Sequence, residues 1–158
     1  MPSAPPSTPR SRTDVAAVGR LVWLYLAWLV AIGATAGSLY FSEVRFFVPC
    51  ALCWWQRIWM YPLVPLLGIA TFRQDVQVWR YALPLSAVGL ATSTYHYLLQ
   101  KVPGLAPPAS CAGGVPCTAQ YIDWFGFVTI PLLAGVAFLL ITAALTLLAV
   151  RGRGAGAA

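Results

Sequence analysis

An all-α integral membrane protein, built as a four-transmembrane-helix bundle, is the fold class this sequence predicts. Three observations carry that expectation. The chain of 158 residues is 59% hydrophobic and only 9% charged, whereas a soluble domain carries about 25% charged residues. Its apolar residues gather into long runs, and a helix needs about 20 of them to cross a hydrocarbon core. Its basic residues flank those runs. They form no dense patch, so the net charge of +6 does not point to nucleic acid.

Residues 1–18 are rich in Pro, Ser and Ala and are expected to be a disordered cytoplasmic tail. The first span, about 21–42, is free of formal charge. Basic residues precede it and Ala34-Thr35-Ala36 looks like a cleavage site. The apolar run nevertheless continues to Phe41, longer than the about 7–15 residues of a secretory signal core. The second span, about 48–72, begins near Pro49, and proline suits a first helical turn. Arg57 interrupts it, and Pro62 and Pro65 are expected to kink it. The short polar connection 73–80 makes spans two and three antiparallel neighbours. Span three covers about 81–100.

Residues 101–123 form a long external loop, whose Pro103, Pro107, Pro108, Gly113, Gly114 and Pro116 favour turns. The stretch Tyr121-Ile122-Asp123-Trp124-Phe125 mixes aromatic and polar residues. It is expected to lie at the interface as a short helix, in the manner of aromatic belts. Span four covers about 126–150, which closes a membrane domain of 19–151 and leaves 152–158 as a second cytoplasmic tail. The spans should be helices, because an isolated strand leaves its backbone polar groups unpaired in lipid.

Arg10, Arg12, Arg20, Arg73, Arg80, Arg151 and Arg153 fall on one side of this arrangement, and Arg45 and Lys101 on the other. Cytoplasmic loops are enriched in Lys and Arg, so both termini are placed in the cytoplasm. All four cysteines then face outward, where disulfides persist.

Those four cysteines pair off as Cys50-Ala51-Leu52-Cys53 and Cys111/Cys117. A C-x-x-C in a first helical turn meets unpaired N–H groups and the positive end of the helix dipole, which stabilise a thiolate. The thiolate is the attacking species in disulfide exchange. A purely structural bond across three positions closes a tiny loop and constrains little. Five residues with two glycines separate Cys111 from Cys117, enough to bring their sulfurs together. That bond is either a loop staple or an exposed disulfide that a soluble protein can reach.

Arg57 lies four positions after Cys53 and seven after Cys50, on one helical face. An arginine inside the hydrocarbon region is expensive and is a functional candidate unless it snorkels to the headgroups. In a functional role it would donate hydrogen bonds to a quinone carbonyl or stabilise a nearby anion. Gln56 is its polar neighbour. His96 reaches a similar depth, about 6 Å below the outer surface at 1.5 Å rise per residue. It would bind the other side of a quinone, supply a proton, or simply fill the bundle interior. Trp54, Trp55 and Tyr97 are either pocket walls or belt residues.

With these residues placed, the string Cys50-Ala51-Leu52-Cys53-Trp54-Trp55-Gln56-Arg57 resembles the DsbB family of membrane thiol:quinone oxidoreductases, especially its short-loop BdbC-type branch. The resemblance runs from about 21 to 149 and includes Tyr95-His96-Tyr97-Leu98-Leu99-Gln100 and the stretch 116–127. It implies a four-helix bundle in a bacterial cytoplasmic (inner) membrane. It implies a partner, an extracytoplasmic DsbA- or BdbD-like thioredoxin-fold oxidase, and a quinone cofactor, menaquinone or ubiquinone, with no metal. By the same resemblance, the partner's thiolate attacks Cys111, the released Cys117 attacks Cys50, and Cys53 becomes the thiolate beside the quinone. Arg57, His96, Gln56 and Trp54 are the residues expected around that quinone. The external loop is shorter than in the long-loop members.

Three other classes compete. A vitamin K epoxide reductase-like protein also uses two cysteine pairs and a quinone, but its C-x-x-C belongs near a late span. A soft-metal membrane carrier could use four cysteines and His96, yet no acidic relay or transport-sized repeat is visible. A structural subunit with two inert disulfides would tolerate serine at Cys53.

Overall fold

The computed structural model describes residues 12–102, 104 and 115–154. Among them the regular structure is helical, apart from one isolated bridge between Trp124 and Val128. Helix α1 spans Arg12–Leu39 and is continued by a π-helical turn, Tyr40–Val44. Helix α2 spans Ala51–Met60 and α3 spans Leu63–Arg73. A 3₁₀ turn, Val76–Val78, leads into α4, Trp79–Lys101, and α5 spans Ile130–Gly154.

Helix α5 packs along both α4 and α1, while α3 lies on α1 and α2 on α4. Helices α2 and α3 form one broken column, so the bundle has four columns. The break has a local cause. Tyr61 N still bonds Arg57 O at 2.9 Å, but Pro62 has no N–H to continue the ladder. The helix restarts with Leu66 N on Pro62 O at 3.2 Å. Pro65 falls in the first turn of α3, where a missing donor is tolerated.

Leu24, Leu63, Leu67, Phe138, Ile141 and Leu145 are fully buried where the columns meet. The outside is just as apolar. Leu29, Ile58, Ile69, Phe72, Val88 and Leu139 all stand exposed, and contiguous apolar surface on this scale marks contact with lipid or protein. Two stretches, Val18–Val44 and Ile130–Arg151, are long and apolar enough to cross a membrane by themselves. Polar contacts turn inward instead. Thr142 Oγ1 of α5 donates to Ser86 Oγ of α4 at 3.1 Å, and Ser86 Oγ donates to Leu83 O at 3.0 Å.

Four boundaries differ from the sequence expectation. Helix α1 starts at Arg12, within the expected tail; Asp14, Ala16 and Ala17 favour a helical first turn, and residues 1–11 lie outside the described residues. Pro49 stays outside α2, whose N-cap is Cys50 in extended conformation. Helix α5 begins at Ile130, four residues later than expected. The expected interfacial helix near 121–125 is absent. In its place Trp124 and Val128 exchange two backbone hydrogen bonds, 3.0 and 2.9 Å, around a reversal. Phe125 and Gly126 take φ values of 57° and 80°, a left-handed pair that closes hairpins and ends helices.

One close approach sets the α4–α5 spacing. The face of Gly89 lies directly against the ring of buried Phe138, and a Cβ there would overlap three ring carbons. Small residues let membrane helices approach closely. Gly89→Ala is therefore expected to destabilise the bundle by about 1–3 kcal/mol, the scale of overpacking, with Phe138→Leu restoring part of the loss. Thermal unfolding of the detergent-solubilised protein measures both.

Candidate functional site

The site forms where the N-terminus of α2, the C-terminal half of α4 and the segment after residue 115 converge. Cys50 caps α2, with φ −73° and ψ 172°. Its Sγ accepts the Cys53 backbone N–H at 3.4 Å and donates its own proton to Cys53 Sγ at 3.1 Å. The two sulfurs of the C-x-x-C are thus in contact, with Cys50 donating and Cys53 accepting. Cys53 sits one turn into the helix, close to the unpaired N–H groups of its first turn.

His96 of α4 is 1% exposed and joins three segments. Its Nε2 lies 3.1 Å from Cys117 O and 3.6 Å from Cys50 Sγ. Its Nδ1 lies 3.1 Å from Gln56 Nε2. A carbonyl can only accept, so Nε2 carries the proton, and Nδ1 accepts from the Gln56 amide. One imidazole edge therefore spans the gap between Cys50 and the backbone of Cys117, which is itself buried. Cys111 lies outside the described residues.

A cavity of about 420 Å³ opens on the other side of Cys53, among α1, α2 and α5. Val30, Ala34, Met60, Leu133 and Phe138 give it apolar walls, and Cys53, Gln56 and Arg57 add polar groups from α2. Arg57 Nη2 donates to Ser38 O at 3.2 Å, and its guanidinium lies 5.3 Å from the Trp54 ring centre. Ligand cavities of about 300–1,000 Å³ with apolar walls and a few convergent polar groups are the usual form of a small-molecule site.

Two of the sequence-predicted residues sit elsewhere than at this cavity. Trp54 is 54% exposed and points outward. The helical period places Cys53, Gln56, Arg57 and Met60 on the inner face and leaves Trp54 and Trp55 on the outer one. The Trp54 ring meets the site through Arg57. His96 does not line the cavity either; buried Gln56 stands between them. Arg57 and Cys53 share the cavity as their spacing suggests, whereas Cys50 turns toward His96 and a second, smaller pocket.

Sequence reasoning missed the residues that hold the loop. Tyr121 stacks on Phe47 with ring centres 4.8 Å apart and donates to Val48 O at 3.1 Å. Phe47 stacks in turn on Phe41 at 6.0 Å. Gln100 Nε2 donates to Ala119 O and Gln120 Nε2 donates to Gln100 O, both at 3.1 Å. Lys101 Nζ meets Asp123 at 3.1 Å and Gly126 O at 2.8 Å. Together these ties hold the segment after Cys117 against α4 and against the residues before Cys50. The available signal was the density of polar and aromatic residues at 119–124, which sequence alone assigns equally well to a membrane surface.

A helical bundle with an apolar surface that brings a C-x-x-C pair together with a third cysteine defines a membrane thiol–disulfide oxidoreductase. Residues 19–149 match the family model described as disulfide bond formation protein DsbB. Disulfide bond formation protein C of Bacillus subtilis is 59% identical over 122 residues, covering 77% of this chain and 88% of that protein. A probable disulfide formation protein C of Halalkalibacterium halodurans is 56% identical over 115 residues, 73% of this chain and 84% of its own. A probable disulfide formation protein of Coxiella burnetii is 48% identical over 120 residues, 75% of this chain and 82% of its own. No solved structure matches. The chain belongs to the DsbB family and is a membrane oxidoreductase that generates disulfide bonds.

Replacing Tyr121 by Phe keeps the ring stack and removes the bond to Val48 O. The loop is expected to loosen by about 1 kcal/mol, the net worth of one hydrogen bond. Faster amide hydrogen exchange over residues 116–128, with α4 and α5 unchanged, is the outcome to measure.

Proposed function

We propose that this protein reoxidises an extracytoplasmic DsbA- or BdbD-like thioredoxin-fold oxidase and passes the electrons to a membrane quinone, menaquinone or ubiquinone. The proposal includes four spans in a bacterial cytoplasmic membrane, formed by α1, the α2–α3 column, α4 and α5. Both termini lie in the cytoplasm, and the cysteines lie on the outer side. One observation carries it: Cys53 borders both the apolar cavity and the loop-side pocket that contains Cys50. A sulfur in that position can exchange with a thiol on one side and face a lipid-soluble acceptor on the other.

The cavity suits a quinone. Its walls are apolar, it lies beside lipid-facing helices, and its polar groups gather at the Cys53 end. A bound quinone would supply a sink for two electrons and two protons. Arg57 has five N–H donors in a fixed fork, and the bond to Ser38 O occupies one of them. The remainder can hold a carbonyl oxygen and stabilise negative charge on it. Gln56 links this end of the cavity to His96.

The exchange steps balance. The partner's thiolate attacks Cys111 of a Cys111–Cys117 disulfide, and Cys117 leaves as a thiolate. Cys117 attacks Cys50 of a Cys50–Cys53 disulfide, and Cys53 leaves as a thiolate facing the cavity. The partner's second thiol closes the partner's own disulfide and frees Cys111. Cys111 in turn resolves the Cys50–Cys117 bond, which leaves Cys50 and Cys53 carrying both electrons. His96 directs its Nε2–H toward Cys50 and holds the Cys117 carbonyl, so it can steady sulfur anions as they form. Trp54 supports Arg57 from outside.

A soft-metal carrier is the second reading. The donor atoms of Cys50, Cys53 and His96 lie within 4.8 Å of one another, and sulfur and imidazole suit thiophilic ions. Metal analysis of the reduced protein separates it from the first.

Anaerobic mixing with a reduced thioredoxin-fold partner and a quinone tests the main proposal by following quinol absorbance. Cys53→Ser should abolish quinol formation. Arg57→His should raise the quinone concentration at half-maximal rate about tenfold or more, as expected for losing a charged hydrogen bond of about 1.5–3 kcal/mol. An unchanged quinone dependence in Arg57→His would remove that residue from the acceptor site.

A further inference from the structure

Thr129 occupies the N-cap of α5, and Leu133 N bonds its carbonyl at 3.1 Å. A threonine there normally turns its hydroxyl back onto the helix, worth about 1 kcal/mol. This one does not. Thr129 is 1% exposed, and its Oγ1 has no partner among the described residues. The Oε1 of Gln100 is likewise buried and unpaired. Both residues line a single pocket of about 20 Å³, whose other walls include Cys50, Cys53 and His96. A site of about 10–15 Å³ holds one water when two or more polar partners surround it.

The dithiol needs a proton acceptor at this place. Cys50 holds the thiol proton and hydrogen-bonds it to Cys53 Sγ. When the disulfide closes on a Cys53 thiolate, as the exchange sequence leaves it, a sulfur–sulfur bond forms, the Cys50 S–H bond breaks, and one proton and two electrons leave, the electrons through Cys53 to the quinone. The proton cannot remain on Cys53, whose lone pair is consumed. It cannot pass to His96 Nε2, which already donates to Cys117 O. We infer that this pocket binds one ordered water, held by Thr129 Oγ1 and Gln100 Oε1, and that the water accepts the Cys50 proton and passes it toward the loop surface. Electrons then leave into the apolar cavity and the proton leaves on the opposite side.

Among the described residues, the titratable groups near this route are few. Helix α2 contributes Cys53, with Arg57 turned to the larger cavity. Helix α4 contributes His96, with Lys101 paired to Asp123. The loop contributes Cys117 and Tyr121. Thr129 is a positioning residue, acting through the water.

The inference rests on the quinone reading only for the identity of the acceptor, so the test uses two oxidants. Full-length protein is reduced, freed of reductant and reoxidised by a short-chain quinone or by diamide, with closure of Cys50–Cys53 followed by thiol trapping. Thr129→Val should slow closure about three- to tenfold with either oxidant, the scale of one lost hydrogen bond. The deficit should shrink as pH rises and hydroxide removes the proton directly, and Thr129→Ser should restore the rate. The quinone concentration dependence and the unfolding temperature should not move. A Thr129→Val protein that matches wild type at every pH, or a defect that serine leaves in place, overturns the inference. If wild type responds to diamide alone, the quinone assignment falls, and the diamide series still decides the role of the water.

Discussion

The imidazole of His96 is the interaction on which the site depends. Three segments far apart in sequence meet at its two nitrogens: the N-terminal turn of α2 through Cys50 and Gln56, α4 through its own backbone, and the loop between α4 and α5 through Cys117 O. Buried polar groups lose much more when left unpaired than they gain when paired. A fully satisfied imidazole therefore pins all three segments to one geometry. Further ties on the same loop lie at Gln100, Lys101 and Tyr121.

The bundle serves that geometry by keeping polarity at one end. Its outer surface is apolar along every column, so position in lipid is set by surface, and specificity has to come from the interior. The proline break after Tyr61 divides one column into two helices. The upper piece, α2, lies on α4, while the lower piece, α3, lies on α1. That divergence opens space below Cys53, where Ser38, Tyr61 and Arg57 border the cavity. Tyr61 OH and Ser38 Oγ approach to 3.4 Å across it, and Trp28 Nε1 donates to Val64 O at 3.1 Å just past the break.

Much of this architecture was legible in the chain. The helical columns follow from apolar runs, and the relation of Cys53 to Arg57 follows from a period of 3.6 residues. Both are local properties. What stayed hidden depends on contacts distant in sequence. The period groups Gln56 with Cys53 and Arg57 but does not say that this face turns inward; packing against α1 and α4 decides that, and it also turns Trp54 outward. His96 could be placed at the right depth, yet its partners, Gln56 and Cys117 O, are 40 and 21 residues away. Tyr121 looked like a belt aromatic because its ring stack and its bond to Val48 are 74 and 73 positions distant. The reversal at Phe125–Gly126 was a local miss. A glycine after an aromatic run permits a left-handed turn as readily as an interfacial helix, and the Trp124–Val128 bridge selects the turn. The expected role of Cys111 concerns a residue outside the described part of the loop.

On the proposed mechanism, the arrangement separates two transfers that would interfere if they shared a path. A lipid-soluble acceptor needs a dry, apolar chamber, because water weakens every electrostatic contact made to developing charge. Thiol exchange needs the opposite, a polar opening that other thiols and protons can reach. Cys53 forms part of the wall between the two environments, and Gln56 extends that wall to His96. The four-residue step from Cys53 to Arg57 keeps the positive charge on the apolar side, and the three-residue step from Cys50 to Cys53 keeps the thiol proton on the polar side. On the proposed mechanism, about two turns of helix thus sort electrons from protons by depth along α2 and by the pocket each residue borders.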